Sequence, residues 1–308
     1  MGLKPENSSE TLTQAMKRVG GGVDDVLADV LPKSDSEDGF EPESQLFDAM
    51  RYAVLGGGKR LRPFLVAASA ELFDVPEAVF LRVGAAVELV HDYSLIHDDL
   101  PCMDDDPIRR GKPSCHVQFG ESTAVLAGDA LMPLAFELLA DPLTHPDPVV
   151  RGELIAGLAM AAGAKGMVGG QMIDLATEGQ TLDIGEITHL ERLKTGALIG
   201  FCCDAGAILG RAQDKEHRAL AGFSHDLGLA YQIADDLLDV VGNVETVGKA
   251  VGKDAARGKA TFISILGVEK ARAQALLLAD QAANHLDCFG GRGRHLRELA
   301  RYVVERSL

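Results

Sequence analysis

Apolar residues recur at spacings of three and four almost continuously from residue 43 to the C-terminus, and no run of alternating Val, Ile or Thr is long enough for a strand. The pattern predicts helices near 43–55, 61–73, 77–99, 121–140, 148–165, 186–209, 215–240, 260–286 and 292–305. Gly, Pro and Asp punctuate them at Gly56-Gly57-Gly58, Asp104-Asp105-Asp106-Pro107, Asp141-Pro142, Gly169-Gly170 and Gly242-Asn243. Connections this short join antiparallel neighbours, so the expected fold class is all-α, a helical bundle. The acidic stretch PKSDSEDGFEPE at 32–43 reads as an exposed linker following a first helix. With no internal repeat and no second compositional regime, residues 1–308 read as one domain, of which 1–42 are the N-terminal helix and linker.

Composition agrees: 46% of residues are hydrophobic, only 5% are aromatic and Trp is absent, so Ala, Leu, Val, Ile and Met must fill a helical core. The 46 acidic against 30 basic residues give a formal charge of -16, which disfavours nucleic acid and anionic lipid surfaces as partners. Five cysteines, an odd number without a C-x-x-C pair, suit a reducing compartment better than a disulfide framework. The N-terminal segment has no apolar signal core, and no uninterrupted apolar run reaches the ~18 residues of a membrane span. A cytoplasmic protein without a membrane span is expected.

Two acidic clusters stand out against that background. Asp98, Asp99, Asp104, Asp105 and Asp106 follow an apolar helical stretch, where the negative end of the helix dipole makes carboxylates unfavourable. Asp235, Asp236 and Asp239 end a second such stretch, with Asp235 and Asp239 on one face and Gln232 a turn earlier. One such cluster alone is as well read as a solvated acidic patch. Two of them suit Mg²⁺, a hard cation held by one or two carboxylates together with substrate phosphates. No His/Cys set has zinc-like spacing.

Cations are placed selectively as well. Gly56-Gly57-Gly58-Lys59-Arg60-Leu61-Arg62-Pro63 opens a helix, and Arg109-Arg110-Gly111-Lys112 follows the first aspartate cluster. Backbone amides at a helix start, a lysine and an arginine fork make a metal-free anion site. The segment is no Walker loop, because no strand precedes it and Arg60 stands where Ser or Thr is required. By spacing alone Lys249, Lys253 and Lys259 are surface lysines of a Gly-punctuated loop.

These stretches resemble the trans, head-to-tail isoprenyl diphosphate synthases, in particular their bacterial farnesyl-forming type. The resemblance is carried by GGGKRLRP at 56–63, YSLIHDDLPCMDDDPIRRGKPSCH at 93–116, GMVGGQMIDL at 166–175, LKTG at 193–196 and YQIADDLLDV at 231–240, in family order. It implies an isoprenoid-synthase bundle around a central hydrophobic cavity. It implies condensation of isopentenyl diphosphate with dimethylallyl or geranyl diphosphate to farnesyl diphosphate, with three Mg²⁺ ions (Mn²⁺ as the substitute) and a homodimeric enzyme. Asp98, Asp99 and Asp104 match the first metal motif and Asp235, Asp236 and Asp239 the second, with Asp98, Asp104, Asp235 and Asp239 as expected ligands. Arg109, Lys194, Thr195, Gln232, Lys249 and Lys259 match contacts to the allylic diphosphate. Gly58, Lys59, Arg62, His91 and Arg110 match the isopentenyl diphosphate pocket. Arg109, Lys194 and Lys249 are expected to stabilise the departing diphosphate. Pro107 stands where many relatives carry another acid.

Tyr93 lies five residues before Asp98, about 7.5 Å down a helix, where an aromatic ring would block further tail growth; the resemblance implies that such an aromatic, together with the insertion Pro101-Cys102, goes with a C15 product. Small Ser94 beside it keeps a C20 product, geranylgeranyl diphosphate, as the alternative. A non-catalytic subunit of a heteromeric synthase is the alternative of another class, and it would be expected to show eroded aspartate motifs. A terpene cyclase would lack the GGGKRLRP segment.

Overall fold

A computed structural model describes residues 10–33, 43–241 and 261–305. These residues are almost wholly helical. The expected N-terminal helix is present as α1 (Leu12–Val30), opened by a capping box in which Thr11 and Gln14 satisfy each other's backbone amides. Ala15, Val19, Val23 and Leu27 recur every fourth residue and form its buried face. Then follow α2 (Ser44–Val54), α3 (Leu61–Glu71) and α4 (Glu77–Asp98). A two-residue hairpin pairs β1 (Ile108–Arg109) with β2 (Lys112–Pro113), Arg109 opposite Lys112. Next come α5 (Cys115–Phe119), α6 (Glu121–Ala140), α7 (Pro148–Ala162), α8 (Met167–Ala176) and α9 (Ile184–Glu191). A π-helical turn (Arg192–Gly196) leads into α10 (Ala197–Leu209) and α11 (Asp214–Val241). The remainder is α12 (Phe262–Leu266), α13 (Val268–His285), a 3₁₀ segment (Leu286–Gly293) and α14 (Arg294–Glu305).

The centre is made of helices that are apolar on nearly every side. In α3 every residue from Pro63 to Ala70 is buried, and α4 and α10 are buried along most of their length. Around them α1 packs on α3 and α4, α6 on α4 and α7, α7 on α10, and α11 on α10 and α13. One apolar cluster runs from Ala15 to Val304. Each fully buried Leu in it, such as Leu131 or Leu158, contributes on the order of 2 kcal/mol of transfer free energy. The small residues have a packing role: a Cβ at Gly206 of α10 would lie 2.5 Å from that of Ser69 on α3.

Three expectations need correction. Gly169 and Gly170 lie inside α8 and not in a connection. The apolar stripe over 186–209 is interrupted by the π turn. The stripe expected to end at 286 breaks at Gly267, whose φ of 75° stops α12 before α13 begins. The linker residues 34–42 lie outside the described residues, as does 242–260.

Candidate active site

The first aspartate cluster sits at the C-terminal end of α4, and the chain then folds back on itself. Asp104 N donates to Asp98 O at 2.8 Å and Asp106 N to Asp99 O at 3.2 Å, with Asp105 in the left-handed region at φ 49°. This return brings Asp104 beside Asp98 despite six residues of separation. Burial pushes the Asp98 carboxyl up to about 6; Lys194 opposes the shift and Asp104 adds to it by like-charge repulsion. Asp99 is buried and gripped in bidentate fashion by Arg109, whose Nε reaches Oδ2 at 3.0 Å while Nη2 bonds Oδ1.

Facing this end of α4 is the π turn. It directs neighbouring side chains to different helices: Lys194 Nζ donates to Asp174 Oδ2 of α8 at 2.5 Å, and Thr195 Oγ1 to Gln232 Oε1 of α11 at 3.2 Å. Such turns recur at functional sites because they re-aim one or two residues within an otherwise regular helix. Contact with α8 requires glycine, since a Cβ at Gly170 would lie 2.2 Å from Lys194 N. Although burial opposes it, the acids Asp174, Glu191 and Asp98 together raise the Lys194 pKa, so its ammonium is secured.

The second cluster is joined to the same network. Gln232 Nε2 donates to Asp236 Oδ1 at 3.2 Å, and Asp236 Oδ2 accepts from Phe262 N at 3.0 Å, tying α11 to the start of α12. Burial, and then the Asp236 carboxylate, push Glu191 up to about 8. Lys194 therefore lies within the electrostatic reach of Asp98 on one side and of Glu191 on the other, and Glu191 in turn of Asp236. Asp235 and Asp239 are half-buried on α11, a turn apart.

Among the described residues no three ligating side chains already converge as a closed cage. The donors present are carboxylate oxygens, crowded and partly desolvated at Asp98 and Asp104. They fit a hard divalent cation that completes its shell with water and phosphate. Lys249, Lys253 and Lys259 lie outside the described residues.

The second anion site is assembled beside the glycine turn. Arg62 Nη1 donates to His91 Nε2 at 3.2 Å. Burial, then Arg62 and Arg110, push the His91 pKa well down, so the ring is neutral and carries its proton on Nδ1. Arg110 Nη2 lies 3.2 Å from where a Cβ of Gly58 would be, and Lys59 is exposed beside it. Arg60, between Lys59 and Arg62, points away from this pocket. Its left-handed backbone (φ 47°) turns the side chain inward, where it is 4% exposed and bonds Glu88, Asp24 and the carbonyl of Val54. It holds the fold and does not face an anion.

Tyr93 is buried on α4, its ring edge-to-face with the His97 imidazole at 5.8 Å, while Ser94 Oγ donates to His91 O. Sequence reasoning passed over Asp174 and Glu191. The only signal for the first is the GMVGGQMIDL segment.

Residues 43–288 match the family described as polyprenyl synthetase. The chain belongs to that family. It is 45% identical over 267 residues to the farnesyl diphosphate synthase of Escherichia coli K12, covering 84% of this chain and 89% of the relative. It is 40% identical to the geranylgeranyl diphosphate synthase of Cyanophora paradoxa, over 85% and 88% of the two chains. A crystal structure of an FPP/GFPP synthase from Zymomonas mobilis superposes with a TM-score of 0.86 at 50% identity, covering 95% of this chain and 98% of that one. Polyprenyl synthetases are all-α prenyltransferases that use a divalent metal.

Proposed function

We propose that this polyprenyl synthetase condenses isopentenyl diphosphate with dimethylallyl or geranyl diphosphate, head to tail, to give farnesyl diphosphate and diphosphate. The observation that carries the reading is the π turn between the two clusters: Lys194, which feels the Asp98 carboxylate, bonds Asp174 of α8, while Thr195 bonds Gln232 of α11 and Gln232 bonds Asp236. Relatives at 45% and 44% identity are farnesyl diphosphate synthases, and geranylgeranyl diphosphate synthases follow at 40–43%, so the C15 reading leans on Tyr93 as well as on the relatives. Both aspartate motifs are intact, which speaks against a non-catalytic subunit.

In this reading Asp98 and Asp104 from one side, and Asp235 and Asp239 from the other, hold magnesium, three ions in the full complex. Bound there, the metal supplies Lewis-acid stabilisation of the leaving diphosphate. Arg109 and Lys194 are already oriented by Asp99 and Asp174, so they meet the negative charge that grows as the allylic C–O bond breaks, at little cost of reorganisation. Lys249 and Lys259 add cations from the following segment, and Thr195 and Gln232 place the diphosphate. Gly58, Lys59, Arg62, His91 and Arg110 hold the isopentenyl diphosphate, whose double bond attacks the allylic carbon to form the new C–C bond. The proton then lost passes to the released diphosphate, so no side chain serves as general base. Tyr93, with Ser94, bounds the tail.

The chain reads as a single domain on its one continuous core, and as a homodimer. Helix α6 is long and apolar enough to cross a membrane by composition, yet one face packs on α4 and α7. Its other face leaves Val125, Leu126 and Met132 exposed at 38%, 56% and 37%, an apolar strip suited to a second copy of the chain. A cytoplasmic location fits the free cysteines.

Product chromatography with isopentenyl diphosphate and each allylic primer, with and without Mg²⁺, tests the assignment. A metal-dependent C15 product is expected, and lost on Asp98→Ala or Asp235→Ala. Near-normal turnover in either variant removes the metal role.

A further inference from the structure

Arg109 and Arg110 are adjacent in sequence, yet different carboxylates hold them. Arg109 is gripped by Asp99, whereas Arg110 Nη2 donates to Asp92 Oδ1 at 3.0 Å. The tight hairpin turn separates them, with Arg110 at φ 51° and Gly111 at φ 74°. Asp92 and Asp99 are seven residues apart, hence on one face of α4 and about 10 Å apart along its axis. The helix thereby spaces two anchors that divide one arginine pair between two anion sites.

Asp92 is built for that task at some cost. It is 2% exposed, and its Oδ2 has no hydrogen-bond partner, with Arg60 Nη1 3.6 Å away. Glu88, one turn earlier and also buried, accepts from Arg60 at 2.7 Å, and Arg60 reaches back to Asp24 of α1. An acid in so apolar a helix, with one oxygen left without a hydrogen bond, is an unfavourable choice for stability alone. Burial and the Glu88 carboxylate push Asp92 up to about 8, while Arg110 and Arg60 oppose that shift.

We propose that Asp92 is a positioning residue that fixes the Arg110 guanidinium beside Gly58 in the metal-free diphosphate pocket and keeps it from joining Arg109 at the aspartate clusters. The inference rests on the reading that this pocket takes isopentenyl diphosphate. It assigns Asp92 to the affinity of that one substrate and not to ionisation of the other. A neutral acceptor suffices to orient the guanidinium, so Asn is the matching replacement and Ala the disabling one.

Initial-rate kinetics on the full chain with Mg²⁺, varying isopentenyl and geranyl diphosphate separately, test it. Asp92→Ala is expected to raise KM for isopentenyl diphosphate about tenfold and leave KM for geranyl diphosphate within twofold. Asp92→Asn should restore the first value to within about threefold. Arg110→Ala should raise the same KM at least as far, and adding Asp92→Ala to it should cost nothing more, because the two act as one unit. Asp92→Leu, nearly isosteric but without an acceptor, stands in if the alanine variant does not fold. Unchanged KM in Asp92→Ala or Asp92→Leu, with Arg110→Ala impaired, overturns the inference while sparing the pocket. Equal effects on both substrates, or no rescue by Asn, also overturn it. No effect of Arg110→Ala sinks the pocket reading itself.

Discussion

Gly170→Ala replaces the residue that lets α8 meet the π turn backbone to backbone. A Cβ there would lie 2.2 Å from Lys194 N, 2.6 Å from its Cα and 2.8 Å from its Cβ. Ordinary contact begins near 3.4 Å, so one segment must retreat by about 1 Å, and the obstacle is backbone that no rotamer change can clear. Overpacking of this kind costs about 1–3 kcal/mol, against a gain of about 1 kcal/mol from the better helix propensity of Ala. Displacing a catalytic group by about 1 Å costs on the order of 10²-fold in rate. The expectation is a melting temperature lower by a few degrees together with kcat reduced by about two orders of magnitude, read by calorimetry and a radiolabelled condensation assay. Gly21→Ala is the control. It is exposed on α1, with no atom within 4 Å of the added carbon, and should stabilise by about 0.5–1 kcal/mol with activity unchanged. A Gly170→Ala enzyme as stable and active as the Gly21→Ala one would refute the claim that Lys194 is set by close approach of α8.

Three further outcomes follow from the site. Burial raises the Asp98 pKa to about 6, so protons compete with metal near and below that value; apparent Mg²⁺ affinity, followed by titration calorimetry, should weaken progressively from pH 6 to pH 5, and an affinity unchanged across that window would contradict the role of Asp98. Arg60→Ala leaves buried Glu88 and Asp92 without that cation and should cost about 3–5 kcal/mol in denaturant unfolding, with Arg60→Lys recovering only part; a loss under 1 kcal/mol would contradict its structural role. Tyr93→Ala should shift products beyond C15, and chromatography showing C15 alone would mean Tyr93 is not the floor.

The helical bundle was legible because nearly every helix buries one face and repeats its apolar positions accordingly. The aspartate clusters were legible for the opposite reason, since carboxylates at the negative end of an apolar helix are costly without a cation. Helix α8 escaped because Gly169-Gly170 reads as a break, and only the three-dimensional contact with Lys194 shows that glycine is there for proximity. The π turn leaves no trace in a stripe whose apolar spacing continues through it. Arg60 carries no sequence signal of its own, because its neighbours are anion-binding in type while its left-handed backbone sends the side chain the other way. Asp92 and Glu191 are single acids with no local pattern, and Asp174 is marked only by the GMVGGQMIDL segment around it. Their importance lies in which cation each one holds.

Crystals of the enzyme with Mn²⁺ and an unreactive thio-analogue of the allylic diphosphate, examined by anomalous diffraction, put the central claim to its most direct test. Peaks beside Asp98 and Asp104 and beside Asp235, all touching one diphosphate, are predicted. Metal bound at only one cluster, or a diphosphate held at the Arg62 and Arg110 pocket with no ion near either, would contradict it.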